Sequence, residues 1–544
     1  MTTPFSLFAD AVLARPEQIF LSLPAAAKLD YAPGGLQIAY GALSQLVAAQ
    51  SEAYRQAGYG AGSVVAISLD NHPDFFVHFL ALNSLGVGIL PLNPDLRSEE
   101  VAYQFTIAEP ELLVALPAYH RVGGEAGLTS DRVIGPTDTV PPARQKAARF
   151  EARPEDPCAF LFTSGTTGKP KCCVLSNDYF VRLAQWYVGA GNGGKLQTGE
   201  EVILTPLPMF HMNALGCSAL GAIILQSTLV PLDRFSASRW WATVAQSGAT
   251  LIHYLGVMPA ILLKLPETEH DRGHKVRIAF GAGVDPLHQE TFEHRFGIEL
   301  TEAWAMTETG GGATTSTAGG DRHLAMRCIG YPHADMDYRI VDDAGADAME
   351  GEPGELVVKA AGDDPRRGFF TEYLKDAVAT EEAWTGGWFH TGDVVRRGED
   401  GALYFVDRKK NIVRRSGENI AVVEVEGVLQ NLEDIASVAV APVPDELRGE
   451  EVMALIVLAA ESANAPGADL ARRIARASAE RLAYHKVPGY VAFVSSLPTT
   501  ATQKLQRGEI KKMASAMLSD PKTVDLRDFK GELRRMDIEA NRVA

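Results

Sequence analysis

From Ala39 to Leu116 the chain alternates two hydrophobic periods. Tyr40 to Ala57 and Asp74 to Leu85 carry apolar residues at helical spacing, whereas Ser63 to Leu69, Val87 to Leu92 and Leu112 to Leu116 are short apolar runs bounded by turn residues. Strands separated by helix-length segments do not pair as hairpins; they pair in parallel, with each crossover helix on a sheet face. Ser98-Glu99-Glu100 starts another helix, its acidic side chains at the end that the helix dipole favours. The fold class this predicts is α/β, a large N-terminal body of parallel-rich sheets covered by helices. A chain of 544 residues with 46% hydrophobic content is too long for one ordinary domain. The order Val438 to Ala441, Val452 to Leu458, helical Leu470 to Leu482 and Tyr490 to Val494 predicts a small α+β unit near the C-terminus.

The apolar run Cys158 to Phe162 reads as a buried strand and leads directly into Thr163-Ser164-Gly165-Thr166-Thr167-Gly168-Lys169-Pro170-Lys171. Such a loop suits polyphosphate. Gly165 and Gly168 let the backbone approach an anion, Thr163, Ser164, Thr166 and Thr167 supply hydroxyls, and Lys169 and Lys171 supply charge. It is not a Walker loop, because Pro170 follows Lys169 where a Ser or Thr is needed for magnesium. Taken by composition alone, the same residues describe an ordinary surface loop. A second glycine-rich stretch, Gly189 to Leu196, matches G-x-G-x-x-G in the wrong context, with helix before it and a strand after it.

Lys plus Arg total 51 against 68 Asp plus Glu, a net charge of -17, which disfavours nucleic acid or an anionic membrane as partner. The most apolar long run, Ala214 to Leu225, is shorter than a membrane span and reads as a buried helix. Met1 to Ala14 lacks the pattern of a signal peptide. Five cysteines, an odd number with Cys172 and Cys173 adjacent, give no disulfide or zinc pattern, so a reducing cytoplasm is expected. Val122 to Ala152 reads as a surface connection and Ser515 to Ala544 as a charged tail.

The Thr163 loop resembles the phosphate loop of the adenylate-forming superfamily, which contains the acyl-CoA synthetases, and further segments follow in that family's order. Thr205 to Asn213 is similar to its acyl-pocket segment, implying His211 and Asn213 as pocket residues. Tyr254 to Pro259 is similar to the strand and turn bordering that pocket, implying Gly256 and Val257, although a Gly there also suits a plain turn. Gly281-Ala282-Gly283 and Glu302-Ala303-Trp304-Ala305-Met306-Thr307-Glu308 resemble the adenine and magnesium segments. They imply adenine against Gly281, Ala282, Gly283, Ala303, Trp304, Ala305 and Met306, phosphate at Thr307, and magnesium on the hard carboxylate of Glu308. Trp304 stands for the usual Tyr and Ala305 for the usual Gly. Gly387 to Asp393 and Asp407 to Lys410 imply Asp393 at the ribose and Arg408 at the ribose or a phosphate, with Lys410 as hinge. Ser416 to Asn419 resembles the loop facing the CoA channel, implying Gly417, Glu418 and Asn419, and Val422 replaces the usual Pro. Leu497 to Arg507 resembles the last family motif and implies Lys504 as the catalytic lysine, with Gln503 in place of Gly.

Membership implies a mobile small domain, with residues 1–409 as the large adenylation domain and 410–544 as the C-terminal one. It implies catalytic roles for Lys504, Glu308 and Thr163, nucleotide contacts from Thr163 through Lys169 and from Lys171, and ATP, Mg2+ and coenzyme A as cofactor and co-substrates. The implied partners are a small-molecule carboxylic acid, ATP and CoA, with no nucleic acid and no membrane span, and a homodimer left open. The ending and pocket segments most resemble the carnitine/crotonobetaine-CoA ligase-like branch, and the acid is expected to be small to medium rather than long-chain. Loading of a carrier protein and non-catalytic nucleotide binding are the alternatives.

Overall fold

The computed structural model describes residues 2–163, 170–415, 418–445, 448–460, 466–482, 484–499 and 505–533. The chain forms two compact units, one of Met1–Thr391 with Arg396–Phe405, the other of Gly392–Val395 with Val406–Ala544.

In the larger unit the alternating segments become parallel strands, as a chain whose strands are separated by helices must. Among the described residues one sheet has seven strands, in the order Glu372–Tyr373, Lys171–Ser176, Pro157–Thr163, Gly88–Pro91, Val64–Ser68, Leu112–Ala115 and Val133–Ile134. The five from Pro157–Thr163 onward are parallel; the first two are antiparallel additions at the edge. A second sheet has a parallel centre of Ile19–Leu23, Thr228–Pro231, Val202–Thr205, Leu251–Leu255, Ile278–Ala282 and Glu299–Trp304. Its core includes Leu204, Val230, Trp240, Ile252, Phe292 and Leu300, all buried.

Two elements differ from expectation. Val133–Ile134, within the segment read as surface connection, adds a parallel edge strand beside Leu112–Ala115; two residues are too few to show a period. The apolar run Ala214 to Leu225 is buried but not uniformly α-helical. Asn213–Ala219 is a π-helix and Leu220–Ile224 an α-helix. Its glycines press on the helix Asn177–Val188: a Cβ on Gly216 would meet Leu183 at 2.5 Å and one on Gly221 would meet Tyr187 at 2.6 Å. In the second glycine-rich stretch Gly191 and Asn192 are buried, Gly191 O accepting from Ser316 Oγ at 2.7 Å, while Gly193 to Lys195 are exposed.

The smaller unit pairs Ile435–Asp445 antiparallel with Gly449–Leu458, which pairs in parallel with Tyr490–Phe493. Val425, Leu429, Ile474 and Val491 lie in its core. The charged tail contributes more than expected. Val524–Asp525 pairs with Tyr490 and Val491, and the Lys530 ammonium is buried against Glu451 Oε1 at 2.8 Å, which Arg415 also bridges through Oε2 at 2.7 Å.

Candidate active site

Strand register brings together the residues that flank the glycine-threonine loop. Thr163 stands opposite Lys171, and Leu161 opposite Cys173, in the antiparallel pair that flanks the glycine-threonine loop. Tyr373, on the two-residue edge strand, stands opposite Cys173. Opposed residues share a sheet face and so do residues two apart, so Thr163, Lys171, Cys173 and Tyr373 project from one side. Glu308 arrives there from the turn after Glu299–Trp304. Thr163 Oγ1 donates to Glu308 Oε1 at 3.3 Å and Tyr373 OH donates to the same oxygen at 2.9 Å. Lys171 Nζ lies 4.7 Å from the Tyr373 ring centroid, a cation over an aromatic face. Burial, and then the Glu308 charge, raises the Tyr373 phenol far above its usual value, which keeps it a donor.

The turn carrying Glu308 is fixed from three sides. Phe370 N donates to Glu308 O at 2.9 Å, Tyr179 OH to Thr307 O at 2.8 Å, and Met306 N to Thr309 Oγ1 at 2.9 Å. Gly310 has φ +49, and a Cβ there would meet the Tyr179 ring at 2.1 Å. Ala305, in place of the family glycine, is not among the residues with positive φ, so this backbone tolerates the substitution. Among the described residues no donor reaches Glu308 Oε2, and no cluster of three or more His, Cys, Asp or Glu could hold a metal by itself. That donor set fits a hard cation held by one carboxylate oxygen and completed by phosphate and water.

The segments expected to take adenine and the acyl group adjoin, since Tyr254 stands opposite Gly281 and Leu255 opposite Ala282 in parallel strands. Gly256 has an ordinary helical φ of -51, so the turn does not explain it. A Cβ there would lie 1.7 Å from Gly283 O, so the close approach of the two turns requires glycine. Glu302, buried, fastens the same place: Oε2 accepts from Gly283 N at 2.7 Å, Oε1 from Tyr254 OH, and Val284 N reaches both oxygens at 3.3 Å. Burial raises its carboxyl above the usual range despite these donors. Ala303 and Trp304 pair with Ser316 and Thr315, and Trp304 is buried. His211 is exposed with its ring 4.8 Å from Phe210, Asn213 opens the π-helix, and Val257 is exposed at the start of the helix Val257–Leu263. Asn71 holds the backbone before His211, donating to Leu207 O at 2.9 Å and accepting from Met209 N at 2.9 Å.

Asp393, expected at the ribose, and Arg408, expected at the ribose or a phosphate, both cluster with the smaller unit and form an ion pair of 2.5 Å. In that unit Asp407 Oδ2 accepts from Val423 N at 3.2 Å and so caps the helix Val422–Gln430, which starts without the family proline. Arg507 forks onto Glu426 at 2.5 and 2.7 Å, just past the Lys504 segment. Ser164 through Lys169, Gly417 and Lys504 lie outside the described residues, as do the side chains of Lys410, Glu418 and Asn419. Tyr373, Tyr179 and Asn71 have no role in the sequence reading, and Glu302 appears there only as the first residue of a motif. Their site contacts, except the Glu302 hydrogen bonds to Gly283 and Val284, reach across more than 40 positions.

The AMP-binding enzyme family matches residues 14–363, and its C-terminal domain matches residues 424–504. The crotonobetaine/carnitine–CoA ligase of Escherichia coli O157:H7 is 30% identical over 490 residues, covering 86% of this chain and 92% of that protein. The ligase of that name from Proteus mirabilis (strain HI4320) is 28% identical over 491 residues, with the same coverage of 86% and 92%. Among solved structures, Bacillus subtilis o-succinylbenzoate CoA synthetase with its acyl-adenylate intermediate superposes with a TM-score of 0.78 at 24% identity, covering 94% of this chain and 98% of that one. ATP-bound MatB from Rhodopseudomonas palustris gives 0.78 at 23%, covering 94% and 99%. With both family domains matched in order, the chain belongs to the AMP-binding enzymes of the adenylate-forming superfamily.

Proposed function

We propose that the protein is an AMP-forming carboxylate–CoA ligase acting on a small to medium acid. A carboxylate is a poor acyl donor because its leaving group would be oxide. Attack of a carboxylate oxygen on the α-phosphorus of ATP expels pyrophosphate and gives an acyl-adenylate; attack of the CoA thiolate on the acyl carbon then expels AMP. Family membership and the likeness to named CoA ligases support this reaction, and the convergence of Thr163, Lys171 and Glu308 carries the reading.

In this reading Thr163 to Lys171 holds the β and γ phosphates, and Lys504 stabilises charge developing at the α-phosphorus. Magnesium, held by Glu308, offsets phosphate charge when bound. Gly281 to Gly283 and Trp304 take the adenine, Asp393 and Arg408 the ribose, and His211, Asn213, Gly256 and Val257 the acyl group. The domain division falls at Lys410, the hinge, and the Gly417 loop serves thioester formation. Residence in the cytoplasm completes the reading; all five cysteines are free and buried, a state that a reducing compartment preserves. Among the described residues no helix is long and apolar enough to cross a membrane.

The test is pyrophosphate release over a panel of carboxylic acids, with AMP and acyl-CoA measured when free CoA is added. The expected result is acid-dependent pyrophosphate and a stoichiometric thioester. AMP without thioester would instead favour a carrier-protein acceptor, and no acid-dependent release would end the ligase reading.

A further inference from the structure

We propose that Tyr373 is a positioning residue that holds Lys171 and Glu308 apart, so that the lysine stays available to phosphate and the glutamate to magnesium. The inference rests on the ligase reading above and assigns a role to a residue far from the motifs that suggested it.

A lysine ammonium and a glutamate carboxylate that meet one ring are close enough to seek each other, and their direct pairing would neutralise both. No such ion pair joins Lys171 and Glu308 among the described residues; instead each contacts Tyr373. The ring offers each group its complementary part. The electron-rich face receives the ammonium with Nζ 4.7 Å from the centroid, and the hydroxyl hydrogen goes to Glu308 Oε1, oxygen to oxygen 2.9 Å. Thr163 adds its hydroxyl to that same oxygen, so both protein donors engage Oε1 and none of the described donors engages Oε2.

Tyr373 has little freedom to leave this position. It is buried, its N donates to Thr380 Oγ1 at 3.0 Å, and its ring lies 4.7 Å from that of Phe370. The strand Glu372–Tyr373 is hydrogen-bonded to Lys171–Ser176, so the tyrosine and the lysine stand on neighbouring strands of one face. The placement therefore follows from sheet register, the firmest positional constraint the chain has.

The experiment uses the full-length protein and the non-reacting nucleotide α,β-methylene-ATP, with binding measured calorimetrically as MgCl2 is varied. Tyr373→Phe keeps the ring and loses the hydroxyl; the magnesium concentration for half-maximal binding is expected to rise about threefold. Tyr373→Leu loses both and lets the ion pair form; a rise of about tenfold is expected. Lys171→Met, alone and added to Tyr373→Leu, removes the competing cation together with its phosphate contact, so the two lysine variants are compared with each other; their magnesium midpoints are expected to agree within about threefold. General damage from Tyr373→Leu would persist in the lysine variant, so the vanishing of its effect there separates positioning from stability. Wild-type magnesium dependence in Tyr373→Phe, or a Tyr373→Leu effect as large with Lys171→Met as without it, overturns the inference alone. Should Tyr373→Leu not fold, Tyr373→Phe decides by itself. Absence of magnesium-dependent binding in the wild-type protein overturns the ligase reading, and this inference with it.

Discussion

Glu302 and Glu308 stand at the two ends of one short segment, yet their surroundings assign them opposite work. Both Glu302 oxygens are consumed by protein donors, Gly283 N, Val284 N and Tyr254 OH, inside a buried turn. Glu308 receives Thr163 and Tyr373 on one oxygen, and no described donor reaches the other. A carboxylate whose acceptor capacity is filled by the fold is part of the scaffold. One left half-filled, beside the Lys171 ammonium, keeps acceptor capacity that the proposed reaction assigns to magnesium. The difference lies in the donor count, since residue type and burial are the same.

The sharpest way to break this comparison is Glu308→Gln. Pyrophosphate release is expected to fall by roughly a hundredfold or more, with the thermal midpoint within a few degrees of wild type. Next comes Gly256→Ala. A Cβ placed 1.7 Å from Gly283 O must force the two turns apart, costing about 2–3 kcal/mol of stability in denaturant unfolding and raising KM for the acid and ATP together.

Glu302→Gln should act on stability more than on chemistry, lowering unfolding free energy by about 1–3 kcal/mol with a modest rise in the KM for ATP. Its pH dependence has a fixed sign. The folded carboxyl is raised above its usual value, so between the usual and the folded value the native state holds a proton that the unfolded chain has lost. Wild-type stability from this group therefore falls as pH rises through that window. Glutamine does not titrate, so the penalty of Glu302→Gln should be largest below the usual glutamate range and shrink above it. The smallest effect belongs to Ala305→Gly, expected to cost about 0.4–1 kcal/mol through the unfolded chain and to leave kcat nearly unchanged, because no positive φ is needed there.

The sequence made some of this legible and hid the rest for a physical reason. Apolar periodicity showed the parallel strands, and the order of residues around Thr163, Glu308 and Asp393 pointed to nucleotide chemistry. Gly256 was noticed, but only register reveals that it yields to Gly283 O rather than to a turn. Tyr373 gave no signal: it sits on a strand of two residues and reaches a site whose other parts lie near positions 163, 171 and 308. Burial of Lys530 beside Glu451 was equally hidden in a tail that reads as solvated charge. Local patterns announce elements and motifs; a side chain that completes a site from a distant strand becomes visible only once the strands are paired.

The most direct measurement is carboxylate-dependent exchange of labelled pyrophosphate into ATP, run on the wild-type protein and on Glu308→Gln with the best acid from the panel. The account predicts exchange in the wild type that requires the acid, and loss of nearly all of it in the variant. Exchange that proceeds equally without acid, or that survives Glu308→Gln at the wild-type rate, would contradict it.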